Sequence, residues 1–172
     1  MIMPEWLLLA KADIQVALFG VLFLLSMLRG AAPERLLSGT MVAMFVLDRG
    51  YHALAGGSVV WHRTNLGHVA IDIFVMAVVG RIAVRANRVY PLWIGAAQII
   101  ALSAHVYRFS VIEINRYAYD MMQITPSYIQ LTALTLGLAF HMWRQKKLGS
   151  YPSWRSSFSP MRARVPTSSR GS

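Results

Sequence analysis

The chain has 172 residues, of which 56% are hydrophobic, and it contains no cysteine. Its mean hydropathy of +0.46 is too high for an ordinary soluble domain, because a soluble helix buries one stripe and exposes a polar face. The lack of cysteine excludes disulfides, thiolate metal sites, a cysteine nucleophile and palmitoylation. We therefore expect an all-α integral membrane bundle whose helices are largely covered by lipid.

The net charge of +10 does not by itself indicate a nucleic-acid-binding protein. Basic residues that bind nucleic acid cluster on one folded surface or on a recognition helix. In this chain they lie at the ends of apolar segments and in the C-terminal tail. That distribution is typical of membrane topology, in which Lys and Arg collect on the cytoplasmic side. We expect a lipid bilayer as the partner and no nucleic acid.

Apolar segments of about 20 residues, the length needed to cross a bilayer, follow one another along the chain. We predict five spans, at about 8–28, 34–56, 66–86, 91–107 and 126–143. Pro33, Pro91 and Pro126 each fall where a helix would begin, and proline is favoured in a first turn. In the first segment, Lys11 and Asp13 interrupt the apolar run. It therefore either spans with these residues among the headgroups or lies flat in the interface.

The orientation of the bundle follows from the basic residues. With five spans, one side receives twelve Lys and Arg residues and the other receives four, so the N-terminus is predicted outside and the C-terminus in the cytoplasm. We place the chain in a bacterial inner membrane, with residues 1–148 forming the bundle. Residues 149–172 are rich in Ser, Arg and Pro and are predicted to be a disordered tail. The segment 108–125 is interpreted as an interfacial anchor, with an amphipathic helix over the outer mouth as the alternative.

Basic residues at the cytoplasmic helix ends are predicted to contact the headgroups of an anionic leaflet. They are Arg81, Arg85, Arg88, Arg144, Lys146 and Lys147. Small residues at helical spacing, such as Ala133 and Gly137, are predicted to let helices pack closely.

Polar residues gather at one depth in the outer half of this topology. Asp48 and His52 are four residues apart and share a helix face, as do His68 and Asp72. Ionisable groups within spans usually face the bundle or a cavity. The candidate polar cluster consists of Asp48, Arg49, His52, His68, Asp72, His105 and Gln130.

Three interpretations of this cluster are open. In the first, Asp48, Arg49 and Asp72 form a buried ion pair and the protein is a structural or accessory component of a membrane assembly, with itself or other membrane proteins as partners. In the second, His52, His68 and His105 converge on a divalent metal or on haem. In the third, the Asp and His side chains conduct protons or ions. No enzyme motif is present, so the first interpretation is preferred and no cofactor is predicted with it.

Overall fold

A computed structural model describes residues 5–54, 66–110, 116–149, 153 and 154. Over these residues the chain forms five α-helices, which confirms the all-α prediction for this part of the protein. They are α1 (Glu5–Arg29), α2 (Ala32–Leu54), α3 (Leu66–Arg85), α4 (Tyr90–Ser110) and α5 (Arg116–Leu148).

Consecutive helices lie side by side and run in opposite directions, as short connections require. α1 packs against α2, α2 against α3, α3 against α4 and α4 against α5, and α5 also contacts α1 and α2. Buried apolar side chains from all of the helices fill the centre, among them Phe19, Met41, Val79, Ile94 and Leu134. We call the end where α2 finishes and α3 begins the His52 end, and the opposite end the Glu34 end.

The first segment is a single helix of 25 residues that belongs to the bundle. Phe19 is fully buried, and its ring lies 5.3 Å from that of Phe45 on α2. α1 is therefore packed against α2 as one of the five helices of the bundle.

Two of the three prolines lie in the first turn of a helix. Pro33 and Pro91 occupy the second positions of α2 and α4, as predicted. The third prediction is wrong: α5 begins at Arg116 and contains Pro126 in its interior. Proline there removes one backbone hydrogen bond, which neighbouring helices make tolerable in a bundle. Of the predicted amphipathic segment 108–125, residues 111–115 lie outside the described residues and 116–125 form the first part of α5.

One helix in the described part of the chain, α3, is long and apolar enough to cross a membrane. Only 22% of the apolar stretch in α3 is buried within the bundle, so it is not an ordinary core helix. Large apolar side chains are exposed on the other helices too, including Leu24 at 62%, Val46 at 64% and Phe140 at 59%.

Part of the predicted tail lies on the bundle. Trp154 pairs with Ala86 in an isolated antiparallel bridge and packs against the hydrophobic core. The backbone N–H of Asn87 donates to the carbonyl of Ser153 at 3.2 Å. Ser153 and Trp154 of the predicted tail thus lie on the bundle, where a tryptophan beside the core gains apolar burial. Residues 150–152 and 155–172 lie outside the described residues.

Candidate metal centre and buried polar networks

Three side chains converge at the His52 end of the bundle. His52 Nε2 and His68 Nε2 lie 3.1 Å apart, and His68 Nε2 lies 2.9 Å from Asp48 Oδ1. The third distance, from His52 Nε2 to Asp48 Oδ1, is 4.0 Å. We call Asp48, His52 and His68 the triad. All three of its ligand atoms lie within 4.8 Å of one another.

The triad is built by two helix ends. Asp48 and His52 stand one turn apart on α2, so both side chains point the same way. Across from them, His68 lies in the first turn of α3, which begins after the connection from α2. The ring of Tyr51 stands edge-on to His68 with centroids 5.5 Å apart. A side chain at Gly67 would clash with that ring, so the glycine lets Tyr51 hold the imidazole of His68 in place.

The spacing of the triad suits a small ion. A tetrahedral zinc ion with bonds of about 2.1 Å keeps its ligand atoms about 3.4 Å apart. The observed 2.9, 3.1 and 4.0 Å lie on both sides of that value. The side chains are between 28% and 38% exposed, so an ion could reach them. Two imidazoles and one carboxylate suit Zn²⁺ and neighbouring transition metals, with one position open.

A second polar network lies deeper and joins three helices. Asp72 on α3 accepts hydrogen bonds at its two carboxylate oxygens, from Gln98 Nε2 at 3.0 Å and from His105 Nε2 at 2.9 Å. Gln130 Nε2 of α5 donates to Gln98 Oε1 at 2.8 Å. Gln98, His105 and Gln130 are 1%, 7% and 2% exposed. The two glutamines and the carboxylate satisfy one another, which is what burial in a low-dielectric interior demands.

The predicted polar cluster is thus divided. His105 binds Asp72 and is not part of the triad, so the predicted set His52, His68 and His105 is replaced by His52, His68 and Asp48. Gln98 and His105, both on α4, contact Asp72. Arg49 makes no buried pair with Asp48 or Asp72. It lies 3.1 Å from Asp13 on α1, with both side chains mostly exposed.

Sequence reasoning missed a charged cluster at the Glu34 end. Arg88 Nε lies 2.9 Å from Glu34 Oε1, with the side chains 5% and 0% exposed. Arg88 Nη2 donates to His141 Nδ1 at 3.2 Å, and the backbone N–H of Ala31 donates to Glu34 Oε2 at 3.1 Å. The last bond is half of a capping box, in which an acid in the first turn reaches back to the helix start. We call Glu34, Arg88 and His141 the buried ion cluster.

Among the six basic residues predicted to contact headgroups, Arg88 is the exception. It is buried against Glu34, because its position just before α4 points it between α2 and α5. The others are exposed: Arg81, Arg85, Arg144, Lys146 and Lys147. A signal for the missed cluster was present, since Glu34 is the one acid among the arginines at this end of the predicted topology.

The described residues therefore define an all-α bundle with a His–His–Asp triad at one end and a buried ion cluster at the other. In comparisons with protein-family models, curated proteins and solved structures, nothing matches this chain.

Proposed function

We propose that the protein is a multi-pass membrane protein that binds a divalent transition metal at Asp48, His52 and His68, close to the outer membrane surface. The observation that carries the proposal is the convergence of three ligand atoms of the right chemistry within 4.8 Å. Two of the ligands come from one helix and the third from the next helix, so folding brings them together.

Membrane insertion is supported by the surface of the bundle. Exposed apolar side chains occur on every helix, and α3 is long and apolar enough to span. A soluble monomer rarely exposes so many large apolar groups. The bias of twelve basic residues against four favours an outer N-terminus and an inner C-terminus. This orientation places the triad at the outer surface, in a bacterial inner membrane.

A single ion suits the triad better than haem. Two Nε2 atoms only 3.1 Å apart leave no space for a porphyrin plane between their rings. The partial exposure of the ligands and the open fourth position favour an ion that exchanges with the outer solution. We therefore propose an accessory protein that holds or passes on metal at the outer face, without catalysis of its own.

The second candidate is a purely structural role for the polar residues. The network of Asp72, Gln98, His105 and Gln130 favours it, because its hydrogen bonds join α3, α4 and α5. Proton conduction has less support. Along α3 and α5, the described buried side chains between this network and the buried ion cluster are apolar, namely Val75, Val79, Ile82, Ala83, Ala133, Leu134 and Leu138.

The test is a titration of the purified, detergent-solubilised protein with Co²⁺, whose visible absorption reports tetrahedral coordination. We expect one Co²⁺ per chain, displaced by Zn²⁺. His52→Gln and His68→Gln should abolish the signal. His105→Gln changes the same residue type outside the triad and should retain it. A protein that binds no ion, or a His105→Gln variant that loses binding as fully as His68→Gln, would reject the metal site and leave the structural role.

A further inference from the structure

A cavity of about 910 Å³ runs along the outside of α4 and α5. At the Glu34 end its wall is polar, with Asn87, Arg88, His141 and Arg144. Towards the middle of the bundle its wall is apolar, with Trp93 and Phe140 among the lining residues. We call this cavity the α4–α5 groove.

The floor of the groove is made by small residues. Ala133 and Gly137 are buried where α5 meets α4. A Cβ added at Gly137 would lie only 2.5 Å from the ring of Tyr90. The predicted close helix contact is therefore confirmed at Gly137, and it lets the groove lie deep between its walls.

The walls are apolar and open to the surroundings. Trp93 is 63% exposed, Leu136 51% and Phe140 59%, and all three line the groove. From Arg144 back to Ala133, α5 rises about 16 Å at about 1.5 Å per residue. Half of a hydrocarbon core of about 30 Å is about 15 Å. From its polar end to Ala133, the groove therefore has about the length of one acyl chain in one leaflet.

The polar end of the groove carries positive charge. Arg144 is exposed and makes no ion pair with an acidic side chain in the described part of the chain. Glu34 is buried behind this end, where it forms an ion pair with Arg88 and accepts a hydrogen bond from the N–H of Ala31. The first turn of α4 begins at Tyr90, so the positive end of its dipole lies at the same place. Charge and shape thus complement an amphiphile with an anionic head.

We propose that the α4–α5 groove binds an anionic phospholipid of the inner leaflet. Its phosphate lies against Arg144 beside Asn87, and one acyl chain lies along Trp93, Leu136 and Phe140. This inference depends on the membrane placement proposed above, but it does not depend on the metal site. Arg88 remains paired with Glu34. It lines the polar end of the groove but does not bind the phosphate by itself.

The experiment is native mass spectrometry of the full chain, released from a neutral detergent containing phosphatidylglycerol or phosphatidylcholine. We expect one phosphatidylglycerol per chain, held more tightly than phosphatidylcholine. Arg144→Gln should weaken phosphatidylglycerol about fivefold and leave phosphatidylcholine unchanged. Lys147→Gln is the matched control, since Lys147 lies at the same helix end over the Trp143 ring, 4.4 Å from its centroid, and outside the groove. Thr132→Phe places a ring in the groove from an exposed position and should weaken both lipids.

Three outcomes would overturn the proposal. Equal losses in Arg144→Gln and Lys147→Gln would indicate diffuse attraction to the leaflet. A dimer that Thr132→Phe dissociates would show that a second copy fills the groove. Equal, charge-independent binding of both lipids would indicate a site for alkyl chains alone.

The membrane placement is tested separately so that its failure can be told from that of the groove. Because the chain has no cysteine, Asp13→Cys and Lys146→Cys each create a single thiol. An impermeant maleimide should label Asp13→Cys in intact cells and Lys146→Cys only after lysis. The reverse result, or a protein found in the soluble fraction, would reject the placement itself.

Discussion

Charged side chains meet in opposite ways at the two ends of this bundle. At the Glu34 end, a carboxylate of 0% exposure faces a guanidinium of 5% exposure, and His141 accepts a further hydrogen bond from that guanidinium. At the His52 end, one carboxylate faces two imidazoles, and all three groups are between 28% and 38% exposed. The first arrangement balances one negative charge with one positive charge. The second gathers groups that all can accept a proton or a metal.

The difference shows which cluster can exchange a ligand. The two groups of a buried ion pair are already desolvated, and removing one of them leaves the other as an uncompensated charge. A partly exposed set of one carboxylate and two imidazoles keeps its contact with water and gains from a bound cation. The Glu34 end is therefore expected to fix the packing of α2, α4 and α5. The His52 end is expected to respond to the solution, and parallel variants at the two ends can test this division.

The largest effect is expected from Glu34→Gln. The change removes the charge opposite Arg88 and should lower the free energy of unfolding by about 3–5 kcal/mol. Unfolding of the purified protein in mixed micelles with increasing SDS measures it. Arg35→Gln, one position along and exposed, is the matched control and should change stability by less than about 1 kcal/mol.

The double variant Glu34→Gln/Arg88→Met separates pairing from packing. Removing both charges should restore part of the loss, since no buried charge then remains unpaired. If Glu34→Gln alone behaves like Arg35→Gln, the buried ion cluster contributes little and the contrast between the two ends is wrong.

The sequence predicted what depends on one helix at a time. The starts of α2 and α4 follow from Pro33 and Pro91, and the shared face of Asp48 and His52 follows from their spacing of four. The same reasoning failed at Pro126, because proline in a first turn and proline within a helix look alike when the preceding residues can also be helical. Nothing local to Pro126 distinguishes these cases.

Sequence spacing did not show which polar side chains meet across the helices. We predicted that His105 and His68 both lie near the His52 end and share one site. In the structure, His105 on α4 binds Asp72 instead, and His68 binds Asp48. The rotation of a helix about its own axis depends on the packing of many apolar side chains at once. No sequence motif reports this rotation. Glu34 was missed for a related reason: its place as the one acid among the arginines was a signal, but its pairing with Arg88 is seen only in the fold.

An intermediate effect is expected when zinc is added at the His52 end. A ligand that binds only the folded state stabilises it by about 2.7 kcal/mol at a hundred times its Kd. Wild-type protein should gain this amount in the same SDS titration, whereas His68→Gln should gain nothing. Without zinc, His68→Gln should unfold close to wild type, because the imidazole is partly exposed. A zinc effect of equal size in both proteins would place the ion elsewhere on the chain.

The smallest effect is expected from Arg49→Gln. Arg49 and Asp13 lie 3.1 Å apart but are 65% and 71% exposed, and exposed pairs contribute about 0.2–1 kcal/mol. The variant retains the adjacent Asp48 and with it the whole triad, so zinc should still stabilise it. Comparison with Glu34→Gln then tests burial directly: each variant breaks one pair of opposite charges, at 3.1 Å in one case and 2.9 Å in the other. If the two losses were equal, distance alone would set the strength of an ion pair here. We expect them to differ severalfold, because water screens Arg49 and Asp13 but does not reach Glu34.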